Sequence, residues 1–209
     1  MGNALPVSMP AAVKLSQAPN LRDEYYGQCN LLKGPEDFTE VLYFQRPGGF
    51  APILKSLMPE GIAMGSTTQE VLDRMGTPNY VLSNDRNING HQVIFFRKDL
   101  SPFLVSLQFH MYRGRLVYAQ SRFIDTEDTR GTMHEVLLAI IRRNTGAEKG
   151  EFAFQDGQGN RLWVEQGEQL VLHYLSGDSA LKGSFPKPHN FRYKRPGKRS
   201  HLQWLRDSA

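Results

Sequence analysis

Residues 67–72 read Thr67-Thr68-Gln69-Glu70-Val71-Leu72, and 65 residues later the chain reads Thr132-Met133-His134-Glu135-Val136-Leu137. Four of the six positions are identical in the two copies. Each copy has the pattern of a helix start, because the Thr hydroxyl accepts from a backbone N–H and the Glu reaches back to the cap residue. The repeat therefore predicts two helices that begin alike. Two unrelated helices with the same common cap would give the same pattern.

Each predicted helix is followed by three short strands. The first helix runs to about Met75, where Gly76-Thr77-Pro78 is a strong stop signal, and the second runs to about Arg143. Alternation and turn residues predict strands over residues 92–97, 103–112, 115–124, 151–155, 161–165 and 169–175. The same order of one helix and three strands in both halves favours a structural repeat.

The strand over residues 103–112 shows which side faces the core. Its two sets of alternating side chains are Val105, Leu107, Phe109 and Met111 on one face and Leu104, Ser106, Gln108 and His110 on the other. The first set is uniformly apolar and is predicted to point inward. The Arg113-Gly114 pair predicts a tight hairpin turn at the end of this strand.

The N-terminal part of the chain gives weaker signals. Residues 1–20 are rich in Pro, Ala and Ser and predict a flexible arm. Residues 40–45 predict a strand, and residues 50–58 predict one short helix with Pro52 in its first turn.

Size and composition are those of an ordinary globular protein. The chain has 209 residues, 40% of them hydrophobic and 22% charged, which suits one large domain or two small ones. The longest apolar runs are too short to cross a bilayer, so no transmembrane helix is expected. The first residues lack the pattern of a signal peptide. The compartment stays open: periplasm or cell envelope if a signal peptide was removed, otherwise cytoplasm.

The charge of the chain is unevenly distributed. Residues 182–209 hold eight basic residues and one acidic residue, a net charge of +7, whereas the rest of the chain, with 17 basic and 20 acidic residues, carries −3. The C-terminal segment also interleaves these charges with Phe, Tyr and Trp. Such a tail suits nucleic acid, an acidic protein partner or anionic lipid, and it equally suits a solvated terminus.

The stretch from Gly65 to Pro78 resembles the SmpA/OmlA family of small outer-membrane lipoproteins, which includes the BamE subunit, and the related β-lactamase-inhibitor-protein fold. The shared features are the Gly-x-Thr start, the helix, the Gly-x-Pro stop and a meander that ends in an aromatic residue and a Gly turn, here Tyr112 to Leu116. Met75 stands where the family has Leu. The resemblance covers about residues 65–124, and residues 131–175 more loosely.

The resemblance implies an α+β fold of tandem units, each a helix with a three-to-four-stranded antiparallel meander, in two layers. The domains are then an arm (1–20), a first unit with an N-terminal extension (21–125), a second unit (126–180) and a basic tail (181–209). Family lipoproteins carry a lipid-anchored Cys after a signal sequence. Cys29 has no apolar segment before it, so the lipid anchor is not carried over.

No catalytic pattern is visible, and the chain is predicted not to be an enzyme. The six histidines show no metal-ligand spacing, so neither a metal nor a cofactor is expected. Cys29 is the only cysteine, and no nucleophile signature surrounds it. No serine lies in a nucleophile elbow.

The sequence therefore predicts a non-enzymatic protein-interaction module, acting as an envelope adaptor or as an inhibitor or immunity-type protein that occludes its partner. In a sheet covered on one side, strand aromatics of opposite parity face outward and are candidate hot spots. The predicted partner-binding residues are Phe96, Tyr112, Tyr118, Trp163 and Tyr174, with an electrostatic tail of Lys187, Arg192, Lys194, Arg195, Lys198 and Arg199. The alternative is a nucleic-acid or anionic-surface binder that uses the tail. The oligomeric state is left open.

Overall fold

The structure is a computed structural model that describes residues 21–46, 48–125, 130–146, 152–166 and 169–187. These residues form a mixed α+β fold with one eight-stranded sheet. The helices are α1 (Leu21–Cys29), α2 (Pro35–Leu42), α3 (Thr68–Met75), α4 (Arg130–Thr145) and α5 (Ser179–Ser184). The strands are β1 (Ala51–Pro52), β2 (Tyr80–Ser83), β3 (His91–Leu100), β4 (Phe103–Tyr112), β5 (Arg115–Asp125), β6 (Ala153–Gln155), β7 (Arg161–Gln166) and β8 (Leu170–Leu175).

The order of strands across the sheet is β1-β6-β7-β8-β5-β4-β3-β2. Every neighbouring pair is antiparallel except β1 and β6, which are parallel. Strands from the two halves of the chain meet where β5 pairs with β8. The sheet is therefore larger than the separate three-to-four-stranded sheets that the sequence predicts.

The capping box at the start of α3 is confirmed. The Thr67 hydroxyl accepts from the Glu70 N–H at 3.3 Å, and the Glu70 carboxylate accepts from the Thr67 N–H at 2.6 Å. The second copy lies in α4, which begins at Arg130, so the predicted helix is present. The side chain of Thr132 lies outside the described residues, and the predicted cap there stays a prediction.

The two central hairpin strands follow the predicted pattern. All four members of the apolar set in β4 are buried. Arg113 and Gly114 have φ angles of 50° and 72°, as a two-residue turn of the I′ class requires. All six predicted strands are confirmed within a few residues at each end.

Helices cover both faces of the sheet, so the predicted two-layer arrangement is wrong. Val71 of α3 and Leu137 of α4 pack in a cluster with Phe96 and Phe109, on the face that we call the α3 face. The opposite face, which we call the α1 face, packs against α1 in one cluster and against α2 and α5 in another. The fold therefore has three layers.

Two predictions in the N-terminal part are wrong. The segment predicted as a strand over residues 40–45 ends helix α2, whose first turn holds Pro35 and whose Asp37 carboxylate accepts from the N–H groups of Lys33 and Gly34. The predicted helix over residues 50–58 is absent. There, Ala51 and Pro52 form β1 and pair with β6.

A buried carboxylate connects the β6–β7 turn to the rest of the fold. Asp156 accepts from the backbone N–H groups of Leu57, Gln158 and Asn160 and from the side-chain amide of Asn160, each at 2.9 Å. Asn160 in turn accepts from the N–H of Gly177 at 2.9 Å. These bonds bring three distant stretches of chain together at one end of the sheet.

Candidate binding surface on the α1 face

Three consecutive rows of side chains cross the α1 face from β3 to β7, each set by the register of five strands. The deep row is Val93, His110, Tyr118, Leu175 and Arg161, the middle row is Phe95, Gln108, Gln120, His173 and Trp163, and the open row is Arg97, Ser106, Arg122, Val171 and Glu165. The deep and middle rows are buried, apart from the partly buried Arg161. Every member of the open row is at least partly exposed.

A chain of hydrogen bonds fixes two buried histidines at the deep end. The carbonyls of Leu32 and Lys33 both accept from Asn84 Nδ2, which identifies this atom as the amide nitrogen, a donor only. The contact of 3.0 Å between Asn84 Nδ2 and His91 Nδ1 therefore has the histidine nitrogen as the acceptor. His91 therefore carries its proton on Nε2 and donates to His110 Nδ1 at 3.1 Å. The proton of His110 then lies on Nε2, which has no hydrogen-bond partner among the described residues.

Both imidazoles are held neutral by burial, which disfavours the charged form. Burial lowers the pKa of His91 to about 4, and the charge of Asp85 acts in the opposite direction. Burial, and secondarily His91, lowers the pKa of His110 well below its ordinary value. His110 has no exposed surface, so this pair contributes to the fold and is out of reach of a dissolved substrate.

A second polar chain joins the deep and middle rows. The Tyr118 hydroxyl lies 2.7 Å from His173 Nδ1, and His173 Nε2 lies 3.5 Å from the Glu165 carboxylate, which is too long for a good hydrogen bond. The Trp163 ring stacks on His173 at a centroid distance of 4.8 Å. Burial, and secondarily Glu165, raises the pKa of Tyr118, so the hydroxyl stays protonated. Only 1% of Tyr118 is exposed, which keeps it from acting on a ligand in solution.

The open end of the face carries a surface of three apolar and two polar side chains, which we call the open patch: Leu104, Ser106, Arg122, Ile124 and Val171. Leu104 lies directly opposite Ile124, and Arg122 lies between Ser106 and Val171. All five are partly exposed. Leu104, Ile124 and Val171 belong to none of the three hydrophobic clusters that the described residues form. Neighbouring apolar side chains left outside the core are a candidate contact surface.

Helix α1 borders the open patch on the β3 side. The Gln108 amide donates to the carbonyl of Cys29, the last residue of α1, at 3.0 Å. The Arg97 guanidinium donates to the Tyr25 hydroxyl and lies 5.4 Å from the centroid of its ring. The end of α1 is thus fixed to β3 and β4 immediately beside the open patch.

Cys29 is placed for packing rather than for nucleophilic chemistry. The partial burial of the thiol raises its pKa, although Tyr25, Arg97, Arg122 and Lys33 act in the opposite direction. The nucleophilic form of cysteine is the thiolate, and a raised pKa lowers its population at neutral pH.

The structure corrects the predicted partner-binding aromatics. Phe96, Tyr118, Trp163 and Tyr174 are all buried, between 1% and 4% exposed. The prediction assumed a sheet covered on one side, whereas helices cover both faces, so aromatics of either parity are enclosed. Tyr112 is partly buried and packs on Phe38 and Phe185. The five residues are therefore divided between two faces and form no shared exposed surface.

The predicted electrostatic tail lies mostly outside the described residues. Arg192, Lys194, Arg195, Lys198 and Arg199 are among the residues that the structure does not describe, as are the arm over residues 1–20 and the side chain of Thr132. Lys187 is exposed, and its ammonium lies 5.8 Å from the centroid of the Tyr43 ring.

Within the described ranges, His, Cys, Asp and Glu side chains form no group of three or more that could hold a metal ion. No helix in this part of the chain combines the length and apolar composition needed to cross a membrane. Comparison of the chain with protein-family models, curated proteins and solved structures finds no match.

The open patch is the surface that sequence reasoning missed. Leu104 and Ser106 were assigned correctly to the face of β4 opposite the core set, but that face also holds the buried Gln108 and His110. Alternation predicts which side chains share a face. It carries no signal for where along the strand a covering helix ends.

Proposed function

We propose that the protein is a non-enzymatic interaction module that docks a protein partner on the open patch. The observation that carries this proposal is the position of Leu104, Ile124 and Val171, which lie together on one sheet face outside every hydrophobic cluster. Side chains on a paired sheet are held rigidly, so ordering them costs little on binding. The proposed mechanism is occlusion, in which the module covers a surface that its partner needs.

We propose further that the protein acts as an envelope adaptor or as an inhibitor or immunity-type protein. We also propose that the fold consists of tandem helix–meander units. The order of elements supports the tandem units: α3 precedes β2 to β5, α4 precedes β6 to β8, and β5 pairs with β8. In that arrangement the last strands of the two units adjoin.

The test compares capture by matched variants of the full chain. Ile124→Asp places a charge in the open patch, whereas Leu54→Asp places one at a fully exposed leucine elsewhere. The natural chain and the Leu54→Asp variant should both capture the partner from source cells, whereas the Ile124→Asp variant should not. Binding of that purified partner should weaken at least tenfold in Ile124→Asp, as expected for loss of an apolar anchor. Equal capture by both variants would refute the proposal.

The same experiment separates the tail-based alternative. A chain that ends at Lys187 should retain the captured partner if the open patch carries binding. Loss of binding on this truncation, together with an affinity that falls steeply with salt, would favour the nucleic-acid or anionic-surface binder.

A further inference from the structure

The sheet has two edges, and the chain protects them unequally. An edge strand presents unpaired N–H and C=O groups, which natural proteins shield with proline, charged side chains or very short strands. The edge strand β1 has two residues, and one of them, Pro52, has no N–H to donate. The opposite edge strand β2 reads Tyr80-Val81-Leu82-Ser83 and contains neither proline nor a charged side chain. The β2 edge therefore lacks the chemical protection that β1 has.

The pairing of β2 with β3 shows which backbone groups point outward. The N–H of Asn84 donates to the carbonyl of His91 at 2.9 Å, and such bonds recur at every second residue of an antiparallel ladder. Val81 and Ser83 occupy the intervening positions, so their N–H and C=O groups point away from β3. No described residue bonds to these outward groups. Val81 is also 40% exposed.

Side chains close the edge beyond the start of β2. The carbonyl of Asn79 accepts from the Arg22 guanidinium at 2.9 Å. The side-chain oxygen of Asn79 accepts from the N–H of Arg97, on β3, at 2.6 Å. The stretch of edge that is left open is therefore short and centred on Leu82.

The outward groups of β2 fit a second copy of the chain. A twofold axis through Leu82, perpendicular to the sheet, places Val81 of one copy opposite Ser83 of the other in an antiparallel pair. Every outward N–H then meets an outward C=O, because the same two residues present them in both copies. A longer strand would gain no further backbone bonds from β2. The pair sets β2 against itself, and since like charges directly opposite each other repel, an uncharged strand suits it.

We propose that two copies of the chain associate through β2, in an antiparallel pair centred on Leu82 that joins their sheets into one. The exposed Val81 then contacts Ser83 of the second copy, and the Leu82 side chains meet on the axis. The contact is small, so the association is weak. Residues directly opposite each other point to the same face, so both α1 faces lie on one side. If the proposed function holds, the dimer presents two open patches together and binds a multivalent partner more tightly; the pairing itself does not depend on that function.

Sedimentation equilibrium of the full chain, at concentrations up to about 500 μM, tests the pairing. The natural chain should show a monomer–dimer equilibrium. Val81→Pro removes the outward N–H in a position that an edge strand tolerates, and it should weaken association about tenfold or more, because two symmetry-related hydrogen bonds are lost. Val81→Thr keeps the N–H and should associate much as the natural chain does. Urea unfolding of each variant checks that it is folded.

Oxidative crosslinking tests the register. In a Cys29→Ala background, Leu82→Cys places two thiols directly opposite each other, with Cα atoms about 4.5 Å apart, which a disulfide can bridge. Ser83→Cys is the matched control, because its two copies are offset along the strands and their Cα atoms lie more than about 7 Å apart. Covalent dimers should form from position 82 and not from position 83.

Three results would overturn the proposal. They are a natural chain that stays monomeric, as it would if another segment of the chain covered β2, a dimer that Val81→Pro leaves intact, and equal crosslinking from positions 82 and 83. Val81 lies on β2, outside the open patch, so Val81→Pro should leave capture of the partner as it is in the natural chain. Capture depends on Ile124 and association on Val81, so failure of one proposal can be told from failure of the other.

Discussion

Lowering the pH from 7 to 5 is expected to destabilise the protein through its two enclosed histidines. The pKa of His91 is about 4 in the folded chain, against about 6.5 when unfolded. The unfolded state therefore binds a proton that the folded state does not, and the free energy of unfolding falls as the pH drops from about 6.5 toward 4. Between pH 7 and pH 5 this difference in the pKa of His91 lowers the free energy of unfolding by about 2 kcal/mol. His110 adds to this loss, because its folded pKa is lowered in the same direction.

The assay is urea unfolding at pH 7, 6 and 5, for the natural chain and for the double variant His91→Gln/His110→Gln. Glutamine keeps a donor and an acceptor but does not titrate. The variant starts from a lower stability at pH 7, so the compared quantity is the loss between pH 7 and pH 5 within each protein. The natural chain should lose at least about 2 kcal/mol more than the variant. Parallel pH dependence in the two proteins would refute the argument that these imidazoles are held neutral by burial.

Three further predictions concern the architecture, each measured as a shift in the urea unfolding free energy. Thr67→Ala removes a helix cap and should cost about 1 kcal/mol, and a loss well below about 0.5 kcal/mol would contradict the assignment of this cap. Gly177→Ala places a Cβ against the backbone carbonyl of Gln158 and should destabilise by more than about 2 kcal/mol. Gly183→Ala has open space in α5 and should be neutral or stabilising, so similar effects of the two changes would contradict the packing around Gly177. Asp156→Asn replaces one of the two acceptor oxygens by an amide NH2, so two of the four N–H donors lose their acceptor, and the change should cost about 2–4 kcal/mol. A loss below about 1 kcal/mol would show that those donors find other partners.

Local patterns predicted the elements whose signals lie within a few residues. The capping box and glycine stop of α3, the alternation in β4 and the Arg113-Gly114 turn each depend on short-range chemistry, and each is present. Helix α2 was missed although Phe38, Val41 and Leu42 have helical spacing, because the β-like composition of its last residues was given more weight. Strand β2 has four residues, too few for alternation to stand out.

The number of layers could not be predicted, because it depends on contacts between distant segments. Phe95 and Phe96 are adjacent and point to opposite faces, yet both are buried. Phe95 packs against α1 and Phe96 lies in the cluster that holds residues of α3 and α4. A one-sided sheet would have exposed one of them. The same reasoning failed for Tyr118 and Trp163.

The candidate site is harder still to predict from the sequence, since it is defined by where coverage stops. Nothing local distinguishes Leu104 from the buried Gln108 on the same face of β4. The difference arises because α2 and α5 lie over one end of that face and α1 over its border. Only the tertiary structure shows which part of the strand is left open.

Docking on the open patch is tested most directly by placing a photo-crosslinking residue, benzoylphenylalanine, at Val171. A matched chain carries it at Leu54, which is fully exposed away from the open patch. Irradiation with the captured partner should give a covalent adduct from position 171 and none from position 54. An adduct from position 54 alone, or equal adducts from both, would contradict the proposal that this face of the sheet is where the partner binds.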